Sequence, residues 1–456
     1  MYALPIQIVS GDEARTIEVE YPATVIAQVG QEGLLVDATA DQEFHRFLLE
    51  TVAEGRSLNG RRGKLTSTRS FRWSEKFAAG LPRSSRILKA EQSNSSVLFE
   101  DKIYLKLFRK LEEGINPDLE VTRQLSERCN FEHVPTYLGD IQYVARGQEP
   151  ASLVMMQASV PNLQDGWSHT LAAIGRFYDR IMSESQLPPP PALGLWDEVP
   201  EPFLTLIEGA HLETVRLLGE RTADLHIALS QDTETPDFAP EPFTLLHQRS
   251  IYQSIRGEIK QTMALLSSVK DRLDDRAIPL ADEVLNRSSE LSSCHDYLLH
   301  EAIRVTKIRI HGDYHLGQLL FTGKDFVILD FEGEPARPIG ERRLKKSGLV
   351  DVAGMLRSFD YAAHQSLTEG RTVRMVDPET LDAFGDLWST RASRVFLDAY
   401  LAKARGAAFV PHDQKDLRLL LRSFLIHKAV YELRYELNNR PKWVSTPLRG
   451  LLRIIR

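Results

Sequence analysis

His311-Gly-Asp313-Tyr-His315-Leu-Gly-Gln318, and shortly after it Asp330-Phe-Glu-Gly333, are the residues from which the fold of this chain is read. Between them lie two short apolar runs, Leu319-Leu-Phe321 and Phe326-Val-Ile-Leu329, separated by Thr322-Gly-Lys-Asp325. Apolar runs on either side of a Gly-containing turn predict a β-hairpin. Asp313 then sits in a loop just before the first strand and Asp330 at the end of the second, so the two carboxylates can converge on one cleft.

Carboxylates and a carboxamide in this order suit phosphoryl transfer. That chemistry needs a carboxylate beside the attacking hydroxyl and oxygen ligands for Mg²⁺ on the phosphates, with little covalent work by the protein. Asp313, Gln318 and Asp330 supply three such oxygens, and the interval from Asp313 to Gln318 equals that between the catalytic Asp and the metal-binding Asn of a kinase catalytic loop. Asp330-Phe-Glu-Gly333 stands where kinases carry Asp-Phe-Gly, with one residue inserted. Walker A loops are not completed, because Gly63-Lys64 is followed by Leu65 and Gly323-Lys324 by Asp325.

On the C-terminal side of position 166 the pattern is mainly helical. Leu212, Val215, Leu218, Thr222, Leu225 and Leu229 recur every three or four residues and predict one apolar helix face. Two long helices are expected within 245–305 and two or three more within 377–440, with Pro188–Pro191 and Asp232–Pro242 as surface linkers. On the N-terminal side, Ile87–Ala90, Val97–Phe99 and Lys102–Phe108 predict a β-meander whose first turn is Glu91-Gln-Ser-Asn-Ser-Ser96. Asn116-Pro117 opens a helix with Asp118 and Glu120 in its first turn, and Ser152-Leu-Val-Met-Met-Gln157 is a buried strand whose Met155 and Met156 read as core. Ile17-Glu-Val-Glu-Tyr21 and Gly33-Leu-Leu-Val-Asp37 predict strands, Gln42–Val52 a helix and Gly55–Ser70 a loop or hairpin. The expected organisation is a small, mostly β cap over 1–85, a β-rich lobe over 86–165 and a helical lobe over 166–456, an α+β chain.

Composition narrows the partners. A net charge of -7 without a basic face argues against nucleic acid, the run Arg342-Arg-Leu-Lys-Lys346 being the nearest exception. Cys129 and Cys294 are the only cysteines, which suggests neither a disulfide framework nor a thiolate metal site. The N-terminus lacks a basic, then apolar, leader, and no apolar run reaches the roughly 18 residues of a membrane span, so a cytoplasmic protein without a membrane partner is expected.

Together with Asp351-Val-Ala-Gly-Met-Leu-Arg-Ser-Phe-Asp-Tyr-Ala362 and Tyr435-Glu-Leu-Asn-Asn-Arg-Pro-Lys-Trp443, the motifs resemble those of the aminoglycoside-phosphotransferase-like kinases, and among them the actinobacterial type of maltokinase. The resemblance implies a bilobal kinase-like fold with an N-terminal cap, and transfer of the γ-phosphoryl group of ATP, with Mg²⁺, to the anomeric hydroxyl of maltose. It also implies a route to α-glucan or glycogen and a trehalose synthase, separate or fused, as partner. A kinase for another sugar, an amino sugar or an aminoglycoside is the alternative, and a non-catalytic pseudokinase scaffold a further one.

Carried over by motif, Asp313 would be the catalytic base, Asp330 the chief Mg²⁺ ligand and Gln318 the second. Lys106 would hold the α- and β-phosphates with Glu120 as its carboxylate partner and Asp118 as competitor. Ser93, Asn94 and Ser95 of the hairpin turn would meet phosphate oxygens, and Gln157 to Val160 would form the hinge whose backbone meets adenine. His311 and Asp351 would brace the catalytic loop, and His315 would lie near the substrate. Glu432, Tyr435, Arg440 and Trp443 combine rings and charges in a way that suits a sugar. Lys428 reads as an i,i+4 partner of Glu432, and His226 as a hydrogen-bonded helix histidine.

Overall fold

The computed structural model describes residues 1–30, 33–77, 80–88, 94–184, 187–368 and 378–455. The chain divides into two units, one made of Met1–Pro161 with Leu329–Arg343 and the other of Asn162–Ile328 with Leu344–Arg456. The expected cap boundary at 85 therefore falls within the first unit, and 329–343 is taken out of the expected helical lobe.

The first unit begins with β1 (Ile6–Ser10), α1 (Asp12–Glu20), β2 (Val25–Val29) and β3 (Gly33–Asp37), whose strands pair antiparallel in the order β1-β3-β2. Here Ile17–Glu20, expected in a strand, belongs to α1. Gly11, at φ 64, turns the chain sharply out of β1, and Asp12 and Glu13 then suit the positive end of a helix dipole. Ala14 and Ile17, three apart, face the small core of Val9, Leu34 and Val36, whereas Val19 points to solvent. The apolar alternation at 17–21 was thus a weak signal beside the helical spacing of 14 and 17.

A seven-stranded antiparallel sheet follows among the described residues: β4 (Ser57–Asn59), β5 (Gly63–Arg69), β6 (Ser85–Leu88), β7 (Asn94–Phe99), β8 (Ile103–Phe108), β9 (Tyr137–Ala145) and β10 (Ala151–Ala158), in the order β4-β5-β9-β10-β8-β7-β6. The 55–70 segment is a hairpin whose second strand pairs with β9 along its whole length, from Gly63↔Ala145 to Arg69↔Gly139. That register is why 1–85 does not stand apart. Helix α2 (Gln42–Ala53) starts at Asp41, whose carboxylate accepts the N–H groups of Glu43 and Phe44. It lays Leu48, Leu49 and Val52 on the sheet core of Val97, Leu105, Ile141 and Met156, each such burial contributing about 1.5–3 kcal/mol. Gly139 permits this approach, since a Cβ there would collide with Val52. Helix α3 (Pro117–Arg123) opens as expected, with the Asn116 side chain accepting the Asp118 N–H at 2.8 Å.

The second unit is helical with two short sheets among the described residues, the smaller pairing Glu241–Pro242 with Thr306–Lys307. β11 (Gln164–Asp165), β12 (Leu319–Phe321) and β13 (Phe326–Ile328) pair antiparallel, and β12 with β13 forms the hairpin read from the sequence, in the register Leu319↔Ile328 and Phe321↔Phe326. Helices α4 (Gly166–Ser183), α5 (Gly209–Ser230), α6 (Leu245–Val269), α7 (Ala277–Asn286), α8 (Leu349–Thr368), α9 (Pro378–Lys403), α10 (Gln414–Asn439) and α11 (Ser445–Ile455) supply its core. α5 buries Val215, Leu218, Thr222, Leu225 and Leu229 along one face, and Gly219 lets α9 approach so closely that a Cβ would collide with the Phe396 carbonyl. Both cysteines are free thiols, and among the described residues no helix is long and apolar enough to cross a membrane.

Candidate active site

In the first unit the central side chain is that of Lys106, in the middle of β8 and 5% exposed. Its Nζ donates to Asp118 Oδ2 at 2.9 Å and to Asp330 Oδ1 at 2.7 Å, and lies 2.6 Å from Glu332 Oε1. An ammonium has three protons to give, and three carboxylates surround it. The other oxygen of Asp118 accepts the Phe331 N–H at 2.9 Å, so one carboxylate ties the β8 lysine to the segment that carries Asp330. Asp330 itself has φ 61, a left-handed conformation that costs a non-glycine residue about 1–2 kcal/mol. Burial opposes the charge of Lys106, but Asp118, Asp330 and Glu332 outweigh it and hold the ammonium pKa well above its ordinary value. For Asp118 burial prevails over the pull of Lys106, and its pKa is raised.

Glu120, expected to partner Lys106, does so neither by distance nor by direction. It is held by Arg343, at 3.0 and 2.5 Å, while Asp118 meets the lysine. Two residues along a helix are about 200° of rotation, so Asp118 and Glu120 face opposite ways and only one can reach β8. Asn94 and Ser95 are in strand β7 rather than in a turn, and Asn94 Nδ2 donates to Glu332 Oε1 at 2.9 Å. Ser93 lies outside the described residues. Gln157 is paired in register on both sides of β10, whereas the backbone groups of Val160 make no hydrogen bond among the described residues. Val160 is also the last residue but one before the chain passes into the second unit.

The oxygens of Asp118, Asp330 and Glu332 lie within 4.8 Å of one another. Three carboxylates to two cations, Lys106 and Arg342 at 4.0 Å from Glu332, leave an excess of negative charge, and an all-oxygen donor set of this kind fits Mg²⁺.

In the second unit the loop 311–318 is built on Asp351, near the start of α8. Its carboxylate accepts the N–H groups of His311 at 2.7 Å and Gly312 at 2.9 Å, and meets His226 Nε2 at 3.1 Å. Gly312, at φ 87, takes a turn that a side chain would strain. Tyr314 is buried with its hydroxyl 3.0 Å from Thr222 Oγ1, and Gly354 leaves room for the Tyr314 carbonyl. His226 completes the brace, its Nδ1 lying 2.9 Å from the Tyr400 hydroxyl. Burial raises the pKa of Asp351, and His226, His311 and the loop N–H groups more than offset it, so the group is held below the ordinary carboxylate range.

This frame presents Asp313. Its Oδ1 accepts from Lys428 Nζ at 3.1 Å, and its Oδ2 lies 4.0 Å from His315 Nε2. Burial pushes the Asp313 pKa up, but Lys428, His315 and His311 outweigh it, so the group is held below its ordinary value and is ionised at neutral pH. His315 Nδ1 accepts the Gly317 N–H at 3.1 Å, and Gln318 closes the 3-10 turn Leu316–Gln318.

The four residues expected around a sugar are largely occupied by partners within the chain. Arg440 makes two hydrogen bonds to Glu436, at 3.0 and 2.8 Å, and its guanidinium lies over the rings of Tyr435 at 5.2 Å and Trp443 at 4.6 Å. Glu432 accepts from Arg357 Nε at 2.8 Å. Tyr435 is exposed, and Trp443 stacks on Tyr361.

No family model matches the chain. It is 25% identical, over 376 residues, to a glucosamine kinase of Streptacidiphilus jiangxiensis, which covers 82% of this chain and 74% of that protein. It is 22% identical over 371 residues to a glucosamine kinase of Mycolicibacterium smegmatis (strain ATCC 700084 / mc(2)155), covering 81% and 79%. A solved structure of a glucosamine kinase in complex with glucosamine, ADP and inorganic phosphate matches with a TM-score of 0.66 at 20% identity, over 92% of this chain and 84% of that one. The fold is that of the glucosamine kinases. It is the α+β kinase-like fold that the motifs implied, but these relatives are named for glucosamine where the motifs suggested maltokinases.

Sequence reasoning missed Lys428 and passed over Asp118 and Glu332. Lys428 carried no signal beyond its i,i+4 spacing to Glu432, and Glu432 is taken by Arg357. Asp118 could have been chosen from the capping pattern, because Asn116 fixes the helix start and with it the direction of each first-turn side chain.

Proposed function

We propose that this chain is an ATP-dependent kinase acting on a hydroxyl of a sugar or amino sugar, with the glucosamine class ahead of maltose as acceptor. The observation that carries this reading is the buried Lys106 ammonium ringed by Asp118, Asp330 and Glu332. A fixed cation beside a dense group of carboxylates is what nucleotide phosphates and their metal require.

In this reading Lys106 exchanges carboxylates for phosphate oxygens, and the free backbone groups of Val160 suit the adenine edge. Asp330 would hold Mg²⁺, and the ion, when bound, neutralises charge on the phosphates. Asp313 accepts the hydrogen bond of the attacking hydroxyl and takes its proton as the new O–P bond forms and the bond from the γ-phosphorus to the bridging oxygen breaks, releasing ADP. A depressed pKa suits that task, because the loose transition state asks for orientation more than for a strong base. Lys428 keeps Asp313 ionised, and Asp351 keeps the loop in place through His311 and Gly312.

The acceptor follows from charge. Arg440 and Lys428, which would repel an aminium group, are neutralised by Glu436 and Asp313, so a cationic acceptor meets no surplus positive charge in this region. The named relatives point the same way. Maltose is the second reading, favoured by the rings of Tyr435 and Trp443, and a trehalose synthase partner and a route to α-glucan belong to it alone. ADP release should be measured with Mg-ATP across glucosamine, maltose, glucose and an aminoglycoside. A kcat/KM for glucosamine at least about tenfold above that for maltose, roughly 1.4 kcal/mol of transition-state preference, is expected. The reverse order transfers the assignment to maltose, and no ADP with any acceptor refutes the kinase reading.

A further inference from the structure

The second unit contains an open cavity of about 330 Å³ lined by α8, α9, α10, α11 and the loop Gly194–Trp196. That volume is at the small end of ligand pockets. None of the residues placed above in phosphoryl transfer lines it.

Its walls have two characters. Leu356, Leu421 and Leu425 form an apolar floor. Of the arginines, Arg357 and Arg453 are spent on internal partners. Arg357 donates to Asp360 at 2.5 Å and to Glu432 at 2.8 Å, and Arg453 to Asp386 at 2.5 Å and also to Asp360. Arg418 and Arg422 are different. They are one helical turn apart on α10, and among the described residues neither forms an ion pair. Arg422 gives only its Nε, to the Ile454 carbonyl at 3.1 Å, which leaves both terminal amino groups of its guanidinium without a partner. Arg418 lies over the Trp196 ring at 4.7 Å, which fixes its plane without neutralising it. The hydroxyls of Thr390 and Ser393 line the same cavity and make no hydrogen bond among the described residues.

We propose that this cavity is a second ligand site, which takes a small organic anion: a phosphate or carboxylate head held by Arg418, Arg422 and the hydroxyls of Thr390 and Ser393, on a compact apolar body seated on the leucines. Guanidinium forks match both kinds of head in geometry and charge. A leucine floor beneath two unspent cations excludes a neutral sugar or a bare cation. The site does not depend on the kinase reading.

The test uses phenyl phosphate and benzoate as probes, with inorganic phosphate as the head alone, in calorimetric titrations of the full chain. Saturable binding of phenyl phosphate or benzoate is expected, weakening as NaCl rises from about 0.05 to about 0.5 M. The two probes separate phosphate from carboxylate heads. Arg418→Gln with Arg422→Gln should weaken the preferred probe at least about tenfold, the loss of roughly 1.4 kcal/mol. Ser393→Met, which fills the cavity and leaves both arginines, should do the same, so the result does not hang on one variant. Asp313→Asn should bind the probe like the unaltered chain. No saturable heat with either probe overturns the proposal, as does equal affinity in the arginine variant. Loss of binding in Asp313→Asn alone overturns it too, because the probe would then sit at the phosphoryl-transfer residues. Inorganic phosphate binding as tightly as phenyl phosphate also counts against it, since the leucine floor would have no part.

Discussion

Replacing Lys106 by Met keeps the length and apolar stem of the side chain and removes only the ammonium. Asp118, Asp330 and Glu332 are then left within 4.8 Å of one another, with Arg342, 4.0 Å from Glu332, as the remaining cation. Asp118 is almost wholly buried and Glu332 mostly so, while Asp330, with 38% of its side chain exposed, is largely relieved by solvent. Removing one partner from a buried ion pair costs about 3–5 kcal/mol, and that range is the expected loss at pH 7.5. The loss depends on pH with a definite sign. Burial already raises the Asp118 pKa, and loss of Lys106 raises it further above the unfolded value. The folded variant therefore gains relief as pH falls below that raised pKa toward the unfolded value, at up to about 1.4 kcal/mol per unit. The deficit relative to the unaltered chain should therefore be smaller at pH 5.5 than at pH 7.5. Urea unfolding at the two pH values measures it, and Asp118→Asn in the Lys106→Met background should recover part of the loss at pH 7.5. A Lys106→Met chain as stable as the parent at pH 7.5, or a deficit that grows on acidification, would refute the account of this cluster.

Further outcomes follow from the same geometry. Asp313→Asn should lower turnover by about 10²- to 10⁴-fold while ATP binding by titration is unchanged. Lys428→Met removes the cation that holds Asp313 below its ordinary pKa, so the acid limb of the kcat/KM profile should move to higher pH with the alkaline limb unmoved. Asp351→Ala leaves the N–H groups of His311 and Gly312 without their acceptor; it should cost about 3 kcal/mol of stability in urea and lower kcat more than it raises KM. His211 is buried against Trp388 with both ring nitrogens unpartnered, and burial lowers its pKa from 6.5 to about 4. A histidine depressed in this way stabilises the fold above pH 6.5 and loses that contribution as pH falls toward 4, with a slope of up to about 1.4 kcal/mol per unit. His211→Phe should flatten the stability profile between pH 6.5 and 5, measured by urea unfolding, and an unchanged slope would remove His211 as its source.

The features that could be read before folding lie within short stretches of chain. The hairpin at 319–328 could be read because apolar runs and a Gly turn are local signals, and Asn116-Pro117 gave the start of α3 because capping acts over three residues. Asp313 and Asp330 were legible for the same reason, each being fixed by its place relative to that hairpin. The periodicity of α5 was legible because one face of it meets the core along its full length. Signals of comparable strength misled at Ile17–Tyr21, where five residues suit either period and the packing of Ala14 and Ile17 decided for the helix.

Which charges meet was settled by long-range packing. Lys428 and Asp313 are 115 residues apart, and Lys106 and Asp330 are 224 apart. Nothing in the local pattern of either partner encodes the other. Asp118 rather than Glu120 faces Lys106 because of helix phase, Lys428 donates to Asp313 while Arg357 donates to Glu432, and Arg418 and Arg422 form no ion pair among the described residues. Coulombic partners are chosen by distance in space and by what is already neutralised there, and both are settled only when the core has brought remote segments together.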